Sequence, residues 1–344
     1  MLEAFRPGHR SGSSHGSARI FRRAYPDPFY VRLTGWAGEL WRALEEEAGE
    51  RLLTLTGGLD FGAVRSPERL HAVLSECGVP AELLAAAAAA ERWPQFDFTG
   101  AGPVMFHAES GVLDPDRAVA AMLRLAARRG ADVRFETPVR HLAAAPGGGA
   151  VVRTDTESFS APVVVAAAGP WLAPLLDGLV ELPPLTVTQQ QVFHFTPVRA
   201  SGDPWPVFIC LDETAYRYGL PGGRDGEVPG AIKVAEHDPG KVTTAQDRDF
   251  RVDPASRQRV TDYLRARVPG LDPTPVNEVT CLYTWTANED FILDRRGPFV
   301  IASPCSGHGA KFAPLTGEII ADLATGRGSP DPRFTLAAHL SARN

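Results

Sequence analysis

The chain has 344 residues, 44% of them apolar and 22% charged, with a formal net charge of −6. That composition suits a globular protein of about two domains with ample material for a core. The acidic balance excludes a nucleic-acid binder, which needs a basic face. The longest apolar run, 83–90, is too short to span a bilayer, and no signal peptide opens the chain, so no membrane association is expected.

In chain order, 1–5 reads as the stub of a strand. Residues 6–25, rich in Gly, Ser, His and Arg, read as a loop that enters a helix near Ala18. Leu33, Trp36, Leu40 and Leu44 recur at helical spacing and predict an amphipathic helix over 29–48. A strand with a Gly-Gly break is expected over 52–61, and short helices over 66–76 and 80–91, the first opened by Ser-Pro-Glu. A strand over 104–107 leads to a turn at 109–111, and Asp114-Pro-Asp opens a helix over 117–129.

Residues 132–137 and 150–154 are strand-like. The apolar run 163–169 closes on Gly169 and precedes a helix over 170–176. This strand–glycine–helix order is that of a buried strand in a doubly wound sheet. Strands follow over 186–197, 207–218 and 230–236, then a helix over 251–268. Strands over 279–286, 291–294 and 298–302 and a helix over 315–324 close the chain. Mixed βαβ pieces and antiparallel-looking strands predict an α/β (mixed α+β) fold of two interleaved domains.

The four cysteines, Cys77, Cys210, Cys281 and Cys305, form no Cys-x-x-Cys pair. That usage fits a reducing cytoplasm, and the absence of ligand-type spacing argues against a metal. Taken alone, Cys281 reads as a buried structural cysteine. Lys233, inside the apolar run Ala231-Ile-Lys-Val, is costly to bury, although strand alternation can turn it to solvent. Gly307 and Gly309 flank His308 in a loop where backbone can approach a ligand closely.

Three motifs stand in order: Ser14-His-Gly-x-x-Arg-x-x-Arg-x-Ala-Tyr25, Cys281-x-Tyr-Thr, and Ser306-Gly-His-Gly-x-Lys-Phe312. With them, residues 2–311 resemble the monomeric sarcosine oxidase and N-methyltryptophan oxidase family of D-amino-acid-oxidase-like flavoproteins. The resemblance implies an FAD-dependent oxidase of a secondary or N-methyl amino acid, with O₂ as acceptor, an imine that hydrolyses, and H₂O₂. It implies FAD held covalently through Cys281, a carboxylate clamp of Arg22 and Lys311, and Arg19 against the flavin ring. Lys233 would assist oxygen reduction, and Tyr218, Tyr283 and His237 would line the substrate site. His15, Gly307 and Gly309 fall in the cofactor-side motifs. Glu3 would meet the adenosine ribose, Val139 the adenine through its backbone, and Gly169 the dinucleotide at its strand end.

The fold so implied is a Rossmann-like doubly wound FAD domain (1–55, 112–183 and 287–344) interleaved with an antiparallel-sheet substrate domain (56–111 and 184–286). The Gly-x-Gly-x-x-Gly loop that normally holds the pyrophosphate is not at the start of the sequence. The FAD domain is therefore expected to be N-terminally truncated, lacking its first βα unit and holding FAD weakly. A flavin dehydrogenase with another acceptor and an inactive remnant are the alternatives. Ala18 stands where the family often has a hydroxyl, Pro304-Cys305 replace a Gly-aromatic pair, and Trp285 adds bulk. These departures favour a larger or different amine.

Overall fold

The structure is a computed structural model and describes residues 1–198 and 205–341. Local chemistry accounts for its longest helix, Pro28–Ala48. Asp27 accepts from the Phe29 amide at 2.8 Å, and Pro28 needs no amide partner at the first position. Gly49 closes the last turn in the left-handed region. Asp114 before Pro115–Arg128 and Asp253 before Pro254–Arg267 repeat the same Asp-Pro start.

The largest sheet is mainly antiparallel. Its order runs Lys241–Val242, Thr186–Pro197, Ile232–Glu236, Tyr216–Pro221, Val207–Leu211, Gly58–Phe61, Val104–His107 and Glu82–Leu84, with Leu271–Trp285 also paired to Thr186–Pro197. One join is parallel, Val207–Leu211 beside Gly58–Phe61, and it ties segments far apart in the chain into one surface. One face packs Phe193, Phe195, Phe208, Ile232 and Val234 against helix Pro254–Arg267 through Val260 and Leu264. Successive side chains in a strand point to opposite faces. Val192, His194, Tyr216, Tyr218, Leu220, Lys233, Val279, Cys281 and Tyr283 therefore share the other face, and all of them line one cavity.

Three smaller sheets accompany it, and Arg19, Ile20, Leu113 and Ala302 of two of them reach the cavity. Arg19–Phe21 pairs with Gly111–Leu113, which also pairs with Leu53–Leu55. Val164–Ala166 runs parallel to Phe299–Ser303, itself antiparallel to Ile292–Arg296. His141–Ala144, Ala150–Arg153 and Ser158–Ala161 form a meander. Among the described residues, no helix is long and apolar enough to cross a membrane.

Several local expectations are corrected. The segment after Ala18 is a strand, not a helix, because Gly111–Leu113 offers it a pairing edge. Glu82–Leu84 pairs with Val104–His107, so the helix there shrinks to Ala86–Arg92. The expected strand over 207–218 splits where the Asp212 carboxylate accepts from the Thr214 and Ala215 amides and turns the chain. Residues 132–137 meet residues 1–5 through backbone hydrogen bonds around the parallel bridge Leu2–Arg134 without extending into a regular strand. Strands His141–Ala144 and Ser158–Ala161 escaped prediction, being short and weakly alternating. The run expected as a buried strand is ordered over Val164–Ala166 alone. Among the described residues it has a strand partner on one side, and Val165 stays 40% exposed.

Candidate functional site

A cavity of about 860 Å³ lies between the polar face of the large sheet, the N-terminal loop and the loop around residues 304–311. Pockets for small ligands and cofactors commonly fall in this size range.

The N-terminal loop is stapled to the sheet. The Ser13 hydroxyl accepts from the Leu282 amide at 3.0 Å and donates to the Leu282 carbonyl. Arg248, buried, donates to the carbonyls of Arg10 at 2.9 Å and Ser11 at 3.2 Å, and to the Thr280 hydroxyl at 3.0 Å. Both staples grip the strand that carries Cys281. Arg19 is aimed by three carbonyls, those of Ala18 at 2.9 Å, Ser13 at 2.8 Å and His15 at 2.9 Å. No carboxylate pairs with it among the described residues, so its charge stays available to the cavity. His15 is buried and its Nε2 has no hydrogen-bond partner among the described residues. Burial, with Arg19 beside it, holds the His15 pKa down at about 3, so the ring is neutral.

Lys233 enters the cavity from the middle of its strand and is 4% exposed. Its ammonium donates to the Ala18 carbonyl at 3.1 Å. Burial, reinforced by Arg19, pulls its pKa down to about 7. Cys281 is near enough to act on Lys233 electrostatically, and it is a free thiol. Tyr218 and Tyr283 meet through their hydroxyls, and burial raises both phenols, which stay protonated.

A second group of cations surrounds Tyr25. The Arg22 guanidinium lies 4.5 Å from the Tyr25 ring centroid and the Lys311 ammonium 5.7 Å from it. Arg22 also donates to the Tyr216 hydroxyl at 3.3 Å and to the Ala24 carbonyl. Lys311 is held by the His308 carbonyl at 2.8 Å, and the Trp41 indole fixes the Lys311 carbonyl at 2.7 Å. Burial, then Arg22, pulls the Lys311 pKa well below its ordinary value. His237 packs at a tilt against Tyr216, Tyr283 and Trp285, with ring centroids 4.7, 5.7 and 5.3 Å away. Burial, with Arg22 and Lys311 adding, keeps its pKa at about 4.

The glycines of the 306–312 loop are structural requirements. Gly307 adopts φ 74°, and a Cβ there would sit 2.7 Å from the Tyr283 ring. A Cβ on Gly309 would overlap the Pro304 carbonyl oxygen. Gly169 also lines the cavity with φ 53°, but the space around it is open, so conformation rather than close approach calls for glycine.

His15, Arg19, Arg22, Gly169, Tyr218, Lys233, His237, Cys281, Tyr283, Gly307, Gly309 and Lys311 thus line one cavity. Glu3 and Val139 do not. The Glu3 amide donates to the Arg134 carbonyl at 2.8 Å and its carboxylate accepts from the Phe5 amide at 3.0 Å. Val139 packs against the apolar cluster around Ile292 and Ile301. Sequence reasoning passed over His194, Tyr216 and Asp225, and gave no role to Tyr25 and His308 within their motifs; all five also line the cavity. For His194 there was a signal: one polar residue between Phe193 and Phe195, inside a run that alternates between faces.

The family model described as FAD dependent oxidoreductase matches residues 1–323. Monomeric sarcosine oxidase of Streptomyces avermitilis is 34% identical over 355 residues, covering 98% of this chain and 91% of that protein. N-methyl-L-tryptophan oxidase of Yersinia pestis is 30% identical over 340 residues, covering 96% and 89%. Among solved structures, NikD, an unusual amino acid oxidase essential for nikkomycin biosynthesis, superposes with a TM-score of 0.84 at 26% identity, covering 96% of this chain and 88% of that one. L-proline dehydrogenase of P. horikoshii superposes with a TM-score of 0.83 at 22% identity, covering 97% and 89%, a likeness of fold alone.

Proposed function

Because the chain belongs to the FAD-dependent oxidoreductase family, we propose that it oxidises a secondary or N-methyl amino acid with O₂. The products are an imine, which hydrolyses, and H₂O₂. The observation that carries this reading is two cation pairs in one cavity: Arg22 with Lys311, and Arg19 with Lys233.

The residues fit the ring end of the cofactor. His15 presents a buried, unpartnered Nε2 to the cavity, and Arg19 presents a charge that no carboxylate cancels. Bound FAD supplies the two-electron chemistry, and the protein supplies position and field. Arg19 favours negative charge on the reduced ring. Cys281, on the sheet face and electrostatically coupled to Lys233, is the covalent anchor.

Arg22 and Lys311 bind the substrate carboxylate, one as a fork and the other as a point charge. Their present hydrogen-bond partners are carbonyls and one phenol, and among the described residues no carboxylate is bound to either side chain. Tyr218, Tyr283 and neutral His237 enclose the amine and exclude water. Lys233, with a pKa of about 7, can hold or give up a proton near neutrality, beside the site of oxygen reduction.

Residues 1–55, 112–183 and 287–344 are assigned to cofactor binding, and 56–111 and 184–286 to substrate binding. The parallel join of Gly58–Phe61 with Val207–Leu211 supports that interleaving. The four cysteines are all unpaired, which supports a reducing compartment, the cytoplasm.

The test is to purify the chain, denature it and read flavin fluorescence on the protein band, alongside H₂O₂ release with N-methyl amino acids. Fluorescence that disappears in Cys281→Ser, with peroxide formed on substrate addition, is the expected result. A preparation with saturating FAD that turns over no secondary amino acid overturns the proposal. Lys233→Met separates oxygen from other acceptors, because only reoxidation by O₂ should collapse.

A further inference from the structure

His194 stands mid-strand in Thr186–Pro197 and is 0% exposed. Its neighbours Phe193 and Phe195 point into the apolar core, so its ring faces the cavity. It is paired directly across the sheet with Lys233 on one side and Asn277 on the other. Residues directly opposite in an antiparallel pair have Cβ atoms about 4.5–5.5 Å apart, so the His194 and Lys233 side chains stand side by side.

The imidazole rests on backbone. A Cβ on Gly222 would lie 2.7 Å from His194 Cδ2, and one on Gly226 3.7 Å from it. These two glycines bracket Asp225, in the turn Gly223–Gly226. Asp225 is pinned from two directions. Its carboxylate accepts from the Ser17 amide at 2.8 Å and its own amide donates to the Ser17 hydroxyl at 3.0 Å, while Asn277 donates to its carbonyl at 2.5 Å. Asp225 is half-buried next to the exposed Arg224, so the row Lys233, His194, Asp225 runs from the buried cavity toward the surface.

Among the described residues neither ring nitrogen of His194 completes a well-formed hydrogen bond; the nearest approach is a loose one to the Asn277 backbone, which favours the protonated ring. Buried polar groups in folded proteins are almost always partnered. Neutral imidazole carries one donor and one acceptor. Burial, then the Lys233 charge, holds the His194 pKa near 4 against the opposing pull of Asp225, so the ring is neutral at physiological pH. A histidine serving only as filler would spend its nitrogens on neighbouring carbonyls.

We propose that His194 and Asp225 form a proton path that recharges Lys233 from solvent, His194 accepting a proton on one ring nitrogen while releasing one from the other. The inference rests on the oxidase reading. The C–H hydrogen of the amine leaves with its electron pair, and that pair and hydrogen, O₂ and one further proton balance to H₂O₂. The further proton comes from the Lys233 ammonium: an N–H bond breaks and an O–H bond forms. The resulting amine regains its proton through His194, and solvent at Asp225 resupplies the ring. His194 acts through Lys233 and is a positioning and relay residue.

Two readouts test the path. The first is solvent exchange of the His194 ring N–H proton, followed by ¹⁵N NMR on the full chain before flavin is added, with His194→Gln assigning the signal. Exchange faster than that of the backbone amides of the same strand, slowed in Asp225→Asn, is expected. A ring proton as protected as those amides overturns the path. The second is stopped-flow with sarcosine and O₂ on the FAD-loaded chain. His194→Phe should slow reoxidation by roughly tenfold or more and diminish its solvent deuterium isotope effect, with much less change in anaerobic reduction. Reoxidation as fast in His194→Phe and Asp225→Asn as in the parent overturns the proposal. If Lys233→Met itself leaves reoxidation unchanged, the oxidase reading fails, and the ring-proton exchange still decides whether the path exists.

Discussion

Arg22 and Lys311, from opposite ends of the chain, stand over the same aromatic ring, at 4.5 and 5.7 Å from the centroid of Tyr25. Two cations so placed repel, and burial lowers the Lys311 pKa with Arg22 adding to the effect. The π face of Tyr25 partly offsets that repulsion. An incoming carboxylate would offset it further, so the arrangement is poised for an anion.

Arg22→Lys keeps the charge and loses the fork. It should raise KM for amino-acid substrates by roughly 10- to 100-fold, in line with about 1.5–3 kcal/mol for a charge-assisted hydrogen bond. Lys311→Met should act in the same direction. Steady-state kinetics with an amino acid and the matching amine without a carboxylate checks both, since only the former should suffer.

Acid should unfold the protein early. The pKa values of His15, His107, His194, His237 and His308 are all lowered by burial, to about 3 or 4. Below pH 6.5 the unfolded chain takes up protons on these groups that the native state refuses, so stability falls as pH drops from 6.5 toward 4. Each such histidine contributes a slope of about 1.4 kcal/mol per pH unit in that window. Urea midpoints at pH 7 and pH 5 measure it; equal midpoints contradict the prediction.

Lys233 extends the same trend, stability rising with pH, to a higher pH window. Its folded pKa of about 7 lies far below the ordinary value of 10.5, so the native state sheds that proton first. Its contribution is unfavourable below pH 7 and is relieved progressively as pH rises toward 10.5. Lys233→Met should therefore stabilise the protein most at or below pH 7, with the gain shrinking at pH 9, as thermal melts at the two pH values would read.

Gly309→Ala places a methyl group on the Pro304 carbonyl oxygen. Backbone must move, carrying Lys311 with it. A loss of roughly 2 kcal/mol or more is expected, with a sharply raised KM. Melting temperature and KM on the same preparation settle whether the loop tolerates the change.

Arg248→Ala removes the staple between the N-terminal loop and the strand of Cys281, leaving the carbonyls of Arg10, Ser11 and Thr280 short of a donor. A cost of about 2–4 kcal/mol follows from a buried charged donor lost. Protease sensitivity should rise first at residues 9–17; cleavage confined to other loops would contradict the assignment.

The sequence by itself determined what acts over a few residues. Asp114, before Pro115, marked a helix start that the structure reproduces, and Asp27 and Asp253 cap their helices in the same way, because a cap and its amides lie within one turn. The three motifs pointed to the family for the same reason, each being a short local string. The tertiary structure decided what depends on distant partners. Arg19–Phe21 is a strand only because Gly111–Leu113 pairs with it. The inward aim of Lys233 and the unpartnered nitrogens of His194 depend on which face of the large sheet was covered by helix Pro254–Arg267. A strand's hydrogen bonds and a side chain's dielectric surroundings come from segments tens to hundreds of residues away, so no window of neighbouring residues encodes them.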